Sequence, residues 1–133
     1  MPGDFEMKLV ERLARTLTQN TGLKVKPIAG ALPPDLPERS LQSVNVGGRV
    51  GEPGIAYPAL SLHVRSRSEA ETVRLANALP AAVWQTDAER INEDGVNIVH
   101  VGLASSPYAN FDPINPEFFR YSCQVVLTLK IGK

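Results

Sequence analysis

Pro58-Ala59-Leu60-Ser61-Leu62-His63-Val64-Arg65-Ser66-Arg67-Ser68-Glu69-Ala70-Glu71 is the stretch that decides how this chain folds. Leu60, Leu62 and Val64 alternate with Ser61, His63 and Arg65, the period that turns one row of side chains into a core. Within three residues the pattern becomes helical. Ser68 stands three residues before Glu71, so its hydroxyl can accept from first-turn amides while the Glu71 carboxylate reaches back. Ala70, Val73, Ala76 and Asn77 follow at helical spacing, with Arg67, Glu69, Glu71 and Arg74 for the wet side. A strand joined this tightly to a helix forces the helix back across the sheet, which predicts a two-layer α+β domain.

Working outward, Phe5, Leu9, Leu13 and Leu17 recur every four residues with Val10 and Ala14 beside them, predicting a helix over residues 4–20. Gly22 suits the position after its cap. Residues 23–28 read as a short edge strand, because Pro27 cannot complete a central ladder. A second strand is expected near 41–46, and the nearly continuous apolar run 96–101 reads as an interior strand. Pro80 predicts a kink or stop near Leu79, with Trp84 plugging the core after one further turn. Residues 86–94 are polar and end in the turn signal Asp94-Gly95. The closing strand is the clearest of all: Phe119, Tyr121, Cys123, Val125, Leu127 and Leu129 alternate with a polar row that only Val126 breaks. At about 3.3 Å per residue it spans roughly 40 Å, long enough to project past its own sheet. Long loops are expected near 29–40, 47–58 and 104–117 in a single domain covering residues 1–133.

Composition excludes several function classes. The 133 residues carry 43% hydrophobic and 21% charged side chains, ordinary for one globular domain. Fourteen cationic side chains balance fourteen carboxylates, so nothing supports a dedicated nucleic-acid binder, which draws much of its affinity from excess cations. No apolar run is long enough to cross a bilayer, and the first four residues lack the features of a signal peptide. A lone Cys123 cannot form an internal disulfide, which fits a reducing cytoplasm.

Candidate chemistry is sparse. Gly47-Gly48-Arg49-Val50-Gly51-Glu52-Pro53-Gly54 is rich in glycine but leads into a strand and lacks Gly-Lys-Ser/Thr, so it reads as a hairpin or interface loop, not a phosphate cradle. His63, His100 and Cys123 match no zinc spacing, and no local catalytic signature is present. Asp87, Glu89, Glu93 and Asp94 read as a solvated turn. No cofactor is expected, and an enzyme is the minority reading. Arg65 and Arg67 read either as surface arginines or as an intersubunit ion pair with Glu69 or Glu71 of a neighbour. Tyr57, Tyr108, Phe111 and Phe118, in or beside loops, either fold those loops down or anchor interfaces. Three long loops and no catalytic motif point to contact with other proteins.

Several of these segments also share an order with a known family. They are the N-terminal helix leading to Gly22-Leu23-Lys24-Val25, then Val64-Arg65-Ser66-Arg67-Ser68-Glu69-Ala70-Glu71, Gly95-Val96, the loop from Pro107 to Asp112, and Phe119-Arg120-Tyr121-Ser122-Cys123. In this order the chain resembles the tail terminator (minor capsid, tail-completion) proteins of long-tailed bacteriophages. The resemblance implies an α+β domain with a mixed, mostly antiparallel sheet of about four or five strands and two main helices on one face. It further implies a structural virion protein, assembled in the host bacterial cytoplasm and located at the head-tail junction. Such a protein forms a homo-hexameric ring that ends the tail tube and meets the head-completion or connector protein, while DNA passes through the lumen without specific binding. The interface candidates are then Arg49, Tyr57, Arg65, Arg67, Glu69, Glu71, Tyr108, Phe111, Asp112 and Phe118. Either the closing strand or the 47–57 loop is expected to pair with a neighbouring subunit by strand addition. Another head-tail adaptor and a small-ligand-binding or enzymatic domain stand as the alternatives.

Overall fold

A computed structural model describes residues 5–49 and 51–131. The expected helix start at Asp4 and the Val50 portion of the glycine-rich segment lie outside the described residues. In chain order the elements are α1 (Phe5–Thr21), β1 (Lys26–Ala29), β2 (Arg39–Arg49), β3 (Ile55–Ser66), α2 (Glu69–Glu89), β4 (Ile91–Glu93), β5 (Val96–Leu103), β6 (Tyr108–Ala109) and β7 (Phe119–Lys130). One sheet runs β1-β2-β3-β7-β5-β4, with β6 also on β7. Among the described residues only β1 and β2 pair in parallel, and every other pairing is antiparallel. The α+β class and mixed sheet are as expected. The strand count rises to seven because β4 and β6, of three and two residues, are too short to show a period.

Both helices bury one stripe against the same face of the sheet. Phe5, Leu9, Val10, Leu13, Ala14 and Leu17 of α1 meet Leu60, Leu62 and Val64 of β3 and Cys123, Val125, Leu127 and Leu129 of β7 in one core. Fully burying a leucine contributes roughly 1.5–3 kcal/mol, so this stripe and not local propensity holds α1 in place. Gly22, at φ 76°, ends α1 as anticipated, its amide donating to the Thr18 carbonyl at 2.9 Å.

Helix α2 departs from the sequence reading in four ways. Its buried row is Thr72, Leu75, Ala76, Leu79, Ala82, Val83 and Thr86, while Ala70 and Asn77 are exposed. Hydrogen bonds across the junction of β3 and α2 set this phase. Ser66 Oγ donates to the Ser68 carbonyl at 2.7 Å and bonds the Thr72 hydroxyl at 2.7 Å, which turns Thr72 inward. Second, α2 continues through Pro80 without a stop. Losing the Pro80 amide costs about 3 kcal/mol in a helix interior, and burial of Leu79, Ala82 and Val83 on either side offsets it. Third, Trp84 does not plug the core. It falls outside the buried row and is exposed. Ser68 does cap the helix, accepting from the Glu71 amide at 3.3 Å. The Glu71 carboxylate does not reach back, however; it takes Arg39 at 3.0 Å, and the Ser68 amide donates to Ser66 Oγ at 3.2 Å instead.

The 47–58 segment is mostly paired strand. β2 runs to Arg49 and β3 starts at Ile55, with a bulge between Asn45 and Gly47. A Cβ on Gly48, at φ 115°, would sit 2.3 Å from the Tyr57 carbonyl oxygen, and one on Gly51 would sit 1.9 Å from that of Ile55. These glycines let two backbones approach, which is a hairpin's requirement and not a phosphate's. β7 does not project past the sheet either: β3 is equally long and pairs with it from Ile55↔Lys130 to Ser66↔Phe119.

Candidate interaction surface

On the face of the sheet away from the helices, register brings Gln42, His63, Arg65, Arg120 and Ser122 together over β2, β3 and β7. The segment after β6 crosses this patch and inserts Asp112. Arg65, only 3% exposed, donates through Nε to Asp112 Oδ2 at 3.2 Å and through Nη1 to Gln42 Oε1 at 2.7 Å. Gln42 in turn donates to the Gly30 carbonyl at 2.6 Å, which ties in the β1–β2 loop. Arg120 lies 3.8 Å from Asp112 and donates to the Asn110 and Phe111 carbonyls. The Asp112 carboxylate also accepts from the Ile114 and Asn115 amides and from Asn115 Nδ2. Burial alone would raise its carboxyl, but the Asn115 and Ile114 bonds and the Arg65 guanidinium hold it below the usual carboxylate range. His63 bonds Ser122 Oγ at 2.6 Å, and Asn110 Nδ2 donates to the same oxygen at 3.0 Å. Burial, with Arg65 and Arg120 close by, pushes His63 down to about 4, so its ring is neutral and Nδ1 can accept the Ser122 proton.

This buried network pins a strap whose other side chains face out. Phe111 is 70% and Ile114 85% exposed, and Tyr108 and Phe119 are exposed beside them. Phe118 is the strap's inward anchor, with the Arg67 guanidinium 4.7 Å from its ring centroid. Between strap and β7 lies a half-open groove lined by Phe111, Pro116, Phe119, Tyr121 and, on its rim, Glu69 of α2. At the opposite end of the strands is the β2–β3 hairpin. Arg49 is exposed and stacks on Tyr57, 4.3 Å from the ring centroid.

The sequence-derived candidates therefore divide into three groups. Arg65 and Asp112 are buried against each other, so the ion pair of Arg65 lies within one chain and does not face a neighbour. Glu71 is likewise held by Arg39 of its own chain. Arg67, Glu69, Phe111 and Phe118 gather at the strap end of the sheet, and Tyr108 lies along β6. Arg49 and Tyr57 sit at the hairpin end. Sequence reasoning missed Phe119, Ile114 and Arg120. Phe119 has the parity of a core residue, and only its place beyond the helix cover exposes it. Arg120 has the parity of a surface residue, and only the strap covers it.

The three soft ligands do not converge. His63 lies on the outer face, Cys123 is buried in the helix-side core with its thiol pushed up to about 12 by burial, and His100 bonds Asp87 at 2.7 Å beside β5. Glu89, Glu93 and Asp94 form ion pairs with Lys8 and Arg12 of α1. Among the described residues no three His, Cys, Asp or Glu side chains are arranged to hold a metal ion, and no helix is long and apolar enough to cross a membrane.

No protein-family model and no curated protein sequence matches this chain. Its fold, by contrast, has a solved counterpart. The chain is similar to one in a structure described as the virion of a native gene transfer agent (GTA) particle, with a TM-score of 0.60 over 91% of each chain and 16% sequence identity. At that identity the likeness is one of fold.

Proposed function

We propose that this chain is a structural component of a phage-like virion. The likeness in fold to a chain of a gene transfer agent virion, over 91% of both chains, carries this reading. Within that class we propose the tail terminator: a ring, hexameric by resemblance, that ends the tail tube and joins it to the head-completion or connector protein. The surface supports a role in assembly. Aromatic and aliphatic side chains are held outward on a strap fixed from beneath by ion pairs, and preorganised apolar anchors are what protein interfaces use. The zero formal net charge suits a ring through which DNA passes unheld.

Of the two segments expected to add to a neighbour, β7 has both edges occupied, by β3 on one side and by β5 and β6 on the other. Among the described residues β2 has no second neighbour beyond Ser43, because β1 pairs with Ser40 to Ser43. We therefore propose the β2–β3 hairpin as the segment that contacts the neighbour. The test is light scattering of the purified protein, followed by negative-stain images with and without tail tubes. A six-fold ring, or rings capping the tubes, is the expected result. A strict monomer that neither caps nor shortens tubes would refute the reading.

A further inference from the structure

The strap is held to the sheet by charge and hydrogen bonds, not by buried apolar surface. From Asn110 to Glu117 the one buried side chain is Asp112, and the apolar anchor comes only at Phe118. The core beneath the helices is the reverse, built mainly from leucine, isoleucine and valine. Segments with few buried apolar contacts open at lower cost than a core, so the strap can lift while the rest stays folded.

Beneath the strap stands one group that changes charge between neutral pH and mild acid, His63. Its ring lies in a row with Gln42 of β2 on one side and Ser122 of β7, then Tyr108 of β6, on the other. Arg65 of its own strand and Arg120 of β7 act on it as cations, and Asp112 of the strap as the opposing carboxylate. Asn110 of the strap donates to the same Ser122 oxygen that the ring bonds. With His63 neutral, two guanidiniums face one carboxylate, and the Ser122 proton has an acceptor. Protonating Nδ1 sets three cations against that carboxylate and aims two donors, Nδ1 and Asn110 Nδ2, at one buried oxygen. Lifting the strap hydrates all three cations.

We infer that the strap is an acid-sensitive latch. Closed while His63 is neutral, it lifts from the sheet as a unit when that ring takes up a proton, while the sheet and both helices stay folded. Phe111 and Ile114 then lose the position that presents them outward, so the candidate contact surface is assembled near neutral pH and dismantled in acid. The latch belongs to the single chain and stands whether or not copies form a ring.

Hydrogen exchange followed by mass spectrometry at pH ~7.5 and ~5, corrected for the intrinsic pH dependence of amide exchange, tests it. With the strap lifted the ring titrates near its ordinary ~6.5, and with the strap closed at about 4. Opening therefore becomes about tenfold more frequent for each pH unit of fall across that window, roughly tenfold to thirtyfold between the two conditions. Peptides covering residues 108–118 are expected to show that rise and to exchange faster than peptides from α1 at both pH values. His63→Gln, neutral throughout, is expected to abolish the rise. A strap that exchanges no faster in acid, one that exchanges only as fast as α1, or a His63→Gln protein that keeps the rise overturns the latch. Ring titration by NMR needs no variant: a His63 ring that titrates at or above ~6.5 in the folded chain overturns it as well.

Discussion

Replacing Asp112 by asparagine keeps the side chain's size and removes its charge from beneath the strap. In the folded chain the Asp112 side chain is 5% exposed and the Arg65 side chain 3%. The variant therefore leaves a guanidinium buried without its counter-charge, and Arg120, which lies 3.8 Å from the same carboxylate, adds to the unbalanced positive field. Removing one partner of a buried pair costs about 3–5 kcal/mol, most of it the penalty for the charge left behind. For a domain of this size 1 kcal/mol moves the melting temperature by about 3–4 °C, so Asp112→Asn is expected to melt roughly 10–20 °C below the parent. Urea unfolding followed by circular dichroism measures the free energy, and hydrogen exchange over residues 110–118 shows whether the strap has lifted. Arg65→Met combined with Asp112→Leu removes both charges and is expected to recover much of the loss. An Asp112→Asn protein that melts within about 3 °C of the parent, with the strap still protected, would refute the view that this pair pins the strap.

Three further outcomes follow from the same geometry. His63 is held at about 4 against an unfolded value of about 6.5, so the unfolded chain takes up its proton first as pH falls. Its contribution to stability is full above pH ~6.5 and is lost between there and ~4. The ceiling is about 3 kcal/mol, lowered because solvent reaches part of the ring. His63→Gln should flatten urea midpoints measured across that window. Ser68→Ala removes the acceptor for the Glu71 amide and should cost about 1 kcal/mol, read as a fall of about 3–4 °C in melting temperature. Gly48→Ala places a Cβ against the Tyr57 carbonyl at positive φ and should cost about 1–3 kcal/mol, whereas Gly47→Ala, with positive φ but open space, should cost less; paired melting curves separate the two.

The chain's own residue pattern determined the two-layer α+β architecture, because burial follows period. The β3 alternation, the four-residue apolar repeat of α1 and the row from Cys123 to Leu129 each specify which side chains leave water, and the Ser68 cap marks where strand becomes helix. What the chain's pattern left open is whatever depends on contacts that periodicity does not encode. The phase of α2 was set by Ser66 meeting Thr72, and Pro80 was tolerated because both sides of it are buried. The glycine-rich segment became a hairpin through backbone contacts across the strands. Above all, Arg65 and Asp112 lie 47 residues apart, and no local pattern marks them as partners. Only the register of β3 against β7, with the strap folded over both, brings them together. That same folding turns Phe111 and Ile114 outward and leaves the β2 edge open, so the candidate contact surface belongs to the tertiary structure even where its residues were legible one by one.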